Sequence, residues 1–146
     1  MSLKTRSNRP LSASRLTFWG VRTLMDALPS NVALLDANGT IVATNSAWDN
    51  YASSLGADSA RAGVGTNYLA VCDQAASDLD PTGASFGTGL RRVLAGQRQS
   101  FELDDRLVTS GTARVVRGRA TRIEDPAGTW VVITHEDLSR PSIEAA

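Results

Sequence analysis

The chain has 146 residues and a formal net charge of zero; 42% of its residues are hydrophobic and 21% charged, as expected for one folded domain with short extensions. No apolar run approaches the roughly 20 residues a membrane-spanning helix needs, and the N-terminus carries no signal-peptide apolar core. A single Cys and a single His exclude an internal disulfide and the usual protein zinc cage, so no metal ligands are assigned and cytoplasmic residence is expected.

Residues 1–11 lack periodicity and read as a disordered lead-in. Lys4, Arg6, Arg9, Arg15 and Arg22 all precede Asp26, the first acidic residue. Such an arm can touch nucleic acid or anionic lipid, but it reads here as a solvated tail before a helix, with no nucleic-acid or membrane role. Residues 12–29 form that helix: Phe18, Val21, Leu24, Met25 and Leu28 fall on one amphipathic stripe, and Pro29 closes it. The stripe must cover a sheet face or a second copy of itself.

Val32, Leu34 and Leu35 begin a strand, Asn38-Gly39 supplies a tight hairpin turn, and Ile41-Val42 resume the extended pattern. Asn45-Ser46 then offers a side-chain oxygen to the free amides of a helix carrying Ala47, Trp48 and Tyr51. A second helix starts near Gly65-Thr66-Asn67, with Tyr68, Val71, Cys72 and Ala75 on one face, and Asp80-Pro81-Thr82-Gly83 breaks it. Phe86, Leu90, Val93 and Leu94 mark a third helix stopped by Gly96. Three strands follow at Ser100 to Leu107, Thr112 to Ile123 and Thr129 to Glu136, the last two joined by a turn at Asp125-Pro126-Ala127-Gly128. The order predicts an α+β fold: a five-stranded antiparallel sheet with helices on one face, plus the N-terminal amphipathic helix.

Three stretches resemble PAS domains, the sensory modules of bacterial signalling. They are the Asp36-Ala-Asn-Gly39 hairpin with Asn45-Ser46-Ala47-Trp48, the Gly89 to Gly96 helix end leading into Ser100-Phe-Glu-Leu103, and Thr134-His-Glu-Asp-Leu-Ser139. The resemblance covers about residues 30–139 and leaves 140–146 as a tail or the start of an output linker. It implies a non-catalytic signal-transduction domain that senses a small ligand or mediates protein–protein contact. The signal would pass to a partner protein or an output domain, with Asp137 at the handover.

The resemblance also raises cofactors, of which none is assigned. In flavin photosensors of the light-oxygen-voltage type, a Gly-x-Asn-Cys motif presents the cysteine that attacks the flavin. Here the matching residues are Gly65-Thr66-Asn67-Tyr68, and a phenol cannot replace the thiol. Cys72 lies one turn further on and reads as a small buried hydrophobe. Haem-binding members usually supply an axial histidine from the pocket helices, which carry none. His135 sits on the last strand, two residues before Asp137, where flavin-binding members face the cavity. It is expected to line a pocket, or simply to bond a backbone group.

With His135 inward, Val131 and Ile133 face inward too, and Trp130, Val132 and Thr134 outward. On the neighbouring strand Val116, Gly118 and Ala120 form the inner row. A ligand pocket would be lined by Tyr68, Cys72, Leu90, Val93, Phe101, Val116, Gly118 and His135, with small residues leaving volume unless aromatic side chains fill it. The outward Trp130 and Val132 are expected to meet the Phe18–Leu28 stripe across a homodimer.

A catalytic reading finds little support. Asp104-Asp105 and Glu124-Asp125 are adjacent on strands, so their carboxylates point apart. Neither a nucleophile elbow, a phosphate-binding loop nor a two-histidine motif is present. The alternative is a small cone-shaped α+β enzyme using His135 with Asp104 or Tyr68.

Overall fold

The structure, a computed structural model, describes residues 20–54, 63–77, 81–109 and 111–138. Phe18, the lead-in, the start of the N-terminal helix and the tail from 139 lie outside them. In chain order the elements are helix α1 (residues 20–26), β1 (Asn31–Leu35), β2 (Ile41–Thr44), α2 (Ser46–Ser54), α3 (Tyr68–Ser77), α4 (Pro81–Leu94), β3 (Ser100–Thr109), β4 (Thr112–Asp125) and β5 (Gly128–Asp137).

The β1–β2 hairpin forms where expected, with a different loop. Asp36 pairs with Thr40 through its backbone N–H, so three residues, not two, make the turn. Asp36 Oδ1 accepts from the amides of Asn38 and Thr40, and Gly39 takes the left-handed conformation at φ +88°. The ladder register shifts between Leu34 and Leu35 as a result. Thr40 also bridges to Asn67, tying the loop to the start of α3.

The five strands are antiparallel throughout, in the order β2-β1-β5-β4-β3. Helices α2, α3 and α4 carry the chain from one sheet edge to the other. Strand alternation divides the residues as the sequence pattern demands. Ala33, Leu35, Ile41, Ala120, Val131 and Ile133 pack inward against Trp48, Cys72, Phe86, Leu90 and Val93. On the outer face of β3 and β4, Asp104 pairs with Arg117, and Glu102 with Arg119 and more distantly with Arg117. These exposed pairs are screened by solvent and mainly keep that half of the outer face polar.

Helix α4 begins at Pro81, five residues before the expected stripe, because a first-turn proline gives up an amide that has no intrahelical partner. Its end is a glycine-capped turn. Gly96 (φ +80°) donates to Val93 O, and the Gln97 amide donates to Arg92 O. Arg122 on β4 adds a second cap, donating from Nη1 to Val93 O and Leu94 O at 2.9 Å each. A cation at a helix C-terminus is favourable against the macrodipole, and this one fastens α4 to the sheet.

Candidate functional site

The site is built outward from the start of α2. Asn45 is fully buried and caps the helix, its Oδ1 accepting from the amide of Trp48 at 2.9 Å. The same oxygen accepts from Val32 N at 3.0 Å, while Nδ2 donates to Met25 O (2.7 Å) and Ser30 O (2.9 Å). Both donors and both acceptor positions of the amide are thereby used. The cap fixes the direction in which Trp48 and, one turn later, Tyr51 enter the interior.

Along the inner face, strand register sets out two levels. Leu103, Gly118, His135 and Asn31 stand opposite one another at one level, and Asp105, Val116 and Asp137 at the next. His135 Nε2 lies 3.2 Å from the hydroxyl oxygen of Tyr68, which α3 delivers from the opposite side. The direction of that hydrogen bond follows the imidazole tautomer. Three further rings enclose the imidazole: Trp48 edge-on at 5.3 Å between centroids, Phe86 at 6.2 Å and Tyr51 stacked at 6.4 Å. Phe101 extends the cluster through Phe86 at 5.5 Å.

Burial decides the charge states. It pushes the His135 pKa down to about 4 and raises that of Tyr68, so both groups are neutral at neutral pH. A neutral imidazole facing a neutral phenol can donate and accept, which suits an uncharged polar partner. Among the described residues no buried side-chain nitrogen or oxygen lacks a hydrogen-bond partner.

From the second level outward this end of the inner face turns polar. Arg114 Nε donates to Asp137 Oδ2 at 2.9 Å, and its Nη2 donates to the same oxygen. Asp105 accepts from the Thr82 hydroxyl at 3.2 Å. The Tyr51 phenol is raised mainly by burial, with smaller effects from the charges of Arg114, Asp105 and Asp137. Asp137, the expected handover residue, is thus held at the end of β5 by a cation on β4.

The eight residues assigned to a pocket from the sequence gather around the inner face. Cys72, Leu90 and Val93 are in its apolar core with Tyr68 and Phe101 packed against it, and Val116 and Gly118 are buried on β4. Over Gly118 stands Phe86: a Cβ there would lie 3.0 Å from its ring. Phe86, Trp48 and Tyr51 also reach the site, although none was among the expected lining residues. All three lay in recognised helices, but periodicity alone does not say which ring reaches which strand. Asp104 does not join His135; it faces outward to Arg117, whose guanidinium lowers its pKa. Asn67, at the flavin-type motif position, caps α3 by accepting from Ala70 N and donates to Asn38 O.

On the opposite face α1 covers its own sheet. Met25, Val32 and Ala43 are buried together, with Val21, Leu34 and Val132 packed against them. The stripe is therefore split within one chain: Leu24 is 69% and Leu28 50% exposed. Trp130 is at the β4–β5 turn, its indole N–H 3.4 Å from Asp125 Oδ1. No helix among the described residues is long and apolar enough to cross a membrane.

A single antiparallel sheet with three helices packed over one face and a part-buried polar pair between them defines a class of small α+β domain. The family model described as PAS fold matches residues 25–140, and the chain belongs to that family. It is 30% identical over 122 residues to a 104.1 kDa protein of Rhodobacter capsulatus in the hypE 3′ region. That match takes in 82% of this chain and 13% of the relative, so the chain spans only about an eighth of that protein. Among solved structures, the PAS domain of BvgS from Bordetella pertussis superposes with a TM-score of 0.58 at 21% identity, covering 90% of this chain and 91% of that one. A phage VqmA–DPO complex gives 0.60 at 15% identity, covering 88% and 56%, and the Vibrio cholerae VqmA dimer 0.53 at 19%, covering 82% and 51%. At these identities the solved structures establish the fold.

Proposed function

We propose that this domain is a non-catalytic sensor whose input is a small, uncharged polar molecule meeting the His135–Tyr68 pair, and whose output passes to a partner or an attached output domain. The observation that carries the reading is the neutral imidazole–phenol pair 3.2 Å apart within an aromatic cluster. A core needing only stability is served as well by apolar side chains. Binding would draw on Leu90, Val93, Phe101, Val116, Gly118 and Cys72 for apolar contact, with Phe86 moving off Gly118. The phage VqmA structure solved in complex with DPO supports ligand binding in this fold, and the much longer Rhodobacter relative supports an attached output. Residence in the cytoplasm fits a single cysteine, the buried Cys72.

Mass spectrometry of the denatured protein tests the input. A co-purified small molecule is expected, the protein being colourless. Gly118→Leu should abolish its retention while lowering stability by about 1–3 kcal/mol through overpacking against Phe86. A stoichiometric flavin or haem, or no molecule retained from any cell extract, would end the reading.

A homodimer belongs to the same proposal, through the exposed Leu24 and Leu28 rather than the buried Met25. Leu24→Asp with Leu28→Asp should convert a dimer to a monomer in light scattering with little change in melting temperature. Met25→Asp should unfold α1 in monomer and dimer alike. A double variant that still elutes as the parent does would remove α1 from the interface.

A further inference from the structure

Phe86 is the only aromatic residue of α4, and the chain forgoes three side chains around it. Gly118 lies beneath it on β4, where a Cβ would stand 3.0 Å from the ring. Gly87 and Gly89 flank it on the helix. A Cβ on Gly87 would lie 2.8 Å from Cys72 Cβ, and one on Gly89 would lie 2.5 Å from the Phe101 ring. None of the three is among the glycines with positive φ, so the backbone does not demand glycine there. What they supply is room: α4 sits closer to α3 and β3 than a side chain allows, and its one ring reaches the sheet. Glycine is also a poor helix former, so Gly87 and Gly89 weaken the turn that carries Phe86.

The place Phe86 fills is one ring wide and borders the polar pair. The rings of Phe101, His135 and Tyr68 lie 5.5, 6.2 and 6.3 Å from it between centroids, which is direct aromatic contact. A second fused ring would overlap Phe101 or Tyr68. Phe86 itself has no group to hydrogen-bond to the imidazole or the phenol, which face each other at 3.2 Å. A molecule taking its place keeps the ring contacts and adds a bond to that pair.

We propose that Phe86 is an internal stand-in for the ligand, and that the natural input is a single planar ring carrying one hydrogen-bonding group, seated over Gly118. The proposal rests on the sensor reading and gives its input a chemical class. Because Phe86 fills the seat in the ligand-free chain, apparent affinity is the intrinsic affinity reduced by the fraction of molecules whose seat is open. Removing the ring therefore strengthens binding, although it weakens the core.

Phenol is the probe, with toluene as its apolar isostere and cyclohexanol as its puckered counterpart. The chain has one histidine, so the imidazole signal in NMR spectra belongs to His135. Phe86→Ala should bind phenol about tenfold or more tightly than the parent does, with a saturable shift of that signal. Cyclohexanol should bind this variant about threefold or more weakly than phenol does. Adding Tyr68→Phe and His135→Phe together to Phe86→Ala should lower the ratio of phenol to toluene affinity, measured by calorimetry, about tenfold. Phe86→Val takes the place of Phe86→Ala if the latter does not fold.

The proposal is overturned if the parent binds phenol as tightly as the Phe86 variants do, or if the His135 signal stays unmoved. It is overturned equally if cyclohexanol matches phenol. The same holds if the phenol-to-toluene ratio survives loss of the polar pair, since the space is then a plain apolar cavity. A co-purified molecule without such a ring would end this assignment and leave the sensor reading standing. Phenol meeting every expectation while no molecule co-purifies would remove the sensor reading and keep the ring site.

Discussion

Asn45→Asp should destabilise this protein by about 3–5 kcal/mol, the range for a buried charge left without a partner. The change is nearly isosteric and keeps the oxygen that accepts from Val32 N and Trp48 N. It replaces the nitrogen that donates to Met25 O and Ser30 O with an oxygen 2.7 and 2.9 Å from two carbonyl oxygens. Two donations become two repulsions in a site with no solvent exposure. For a chain of this size each kcal/mol moves the melting temperature by roughly 2–4 °C, so a fall of about 10 °C is expected in thermal or urea unfolding. Acidification should restore part of the loss, since the protonated acid can donate one of the missing bonds. Asn45→Ala should be milder, at about 2–3 kcal/mol, because it leaves unpaired groups but no charge. A loss below about 1 kcal/mol for Asn45→Asp would mean that water reaches the site and that Asn45 does not join α1 to the sheet.

Acid should destabilise the protein in a window set by His135. The unfolded imidazole takes a proton near pH 6.5, whereas the folded one, its pKa pushed to about 4 by burial, resists protonation. Between these values the unfolded state binds more protons, so stability falls as pH falls and levels off below the folded pKa. The full difference amounts to about 3 kcal/mol, an upper value because the ring is only partly shielded from solvent. Asp26 and Asp104, whose carboxyl pKa values are held below the usual value by the Ser46 amide and by Arg117, respond lower still. Urea titrations of the parent at pH 7.5, 6, 5 and 4.5 should thus show a progressive loss that His135→Phe removes. A flat profile in the parent, or an unchanged slope in His135→Phe, would place the histidine in contact with water and remove the reason for its neutrality.

The parts of this protein visible in the sequence are those written in local chemistry. Gly39 marked a hairpin, Asn45 a helix cap and Gly96 a helix stop, because each solves a backbone problem among its near neighbours. The period-2 pattern of β4 and β5 correctly placed Val116, Gly118 and Ala120 with Val131 and Ile133 inside, and left Val132 outside. The hairpin loop was misjudged by one residue because the Asp36 carboxylate, which the turn uses twice, competes with the two-residue Asn-Gly geometry. The N-terminal stripe was legible as apolar, but not which of its residues would be buried.

The sequence by itself therefore determined the order and type of the elements, the two faces of the sheet and membership of the family. Only the tertiary structure decided that α1 lies on its own sheet, that Phe86 stands over Gly118, and that Tyr68 meets His135 across a separation of 67 residues. The same holds for the second half of Asn45's bonding, which reaches back 20 residues to Met25. Local patterns report whether a side chain favours a helix, a strand or the interior. Which two interior side chains touch depends on the packing of elements far apart in the chain, where close-packed volume and hydrogen-bond satisfaction are settled together and leave no periodic trace.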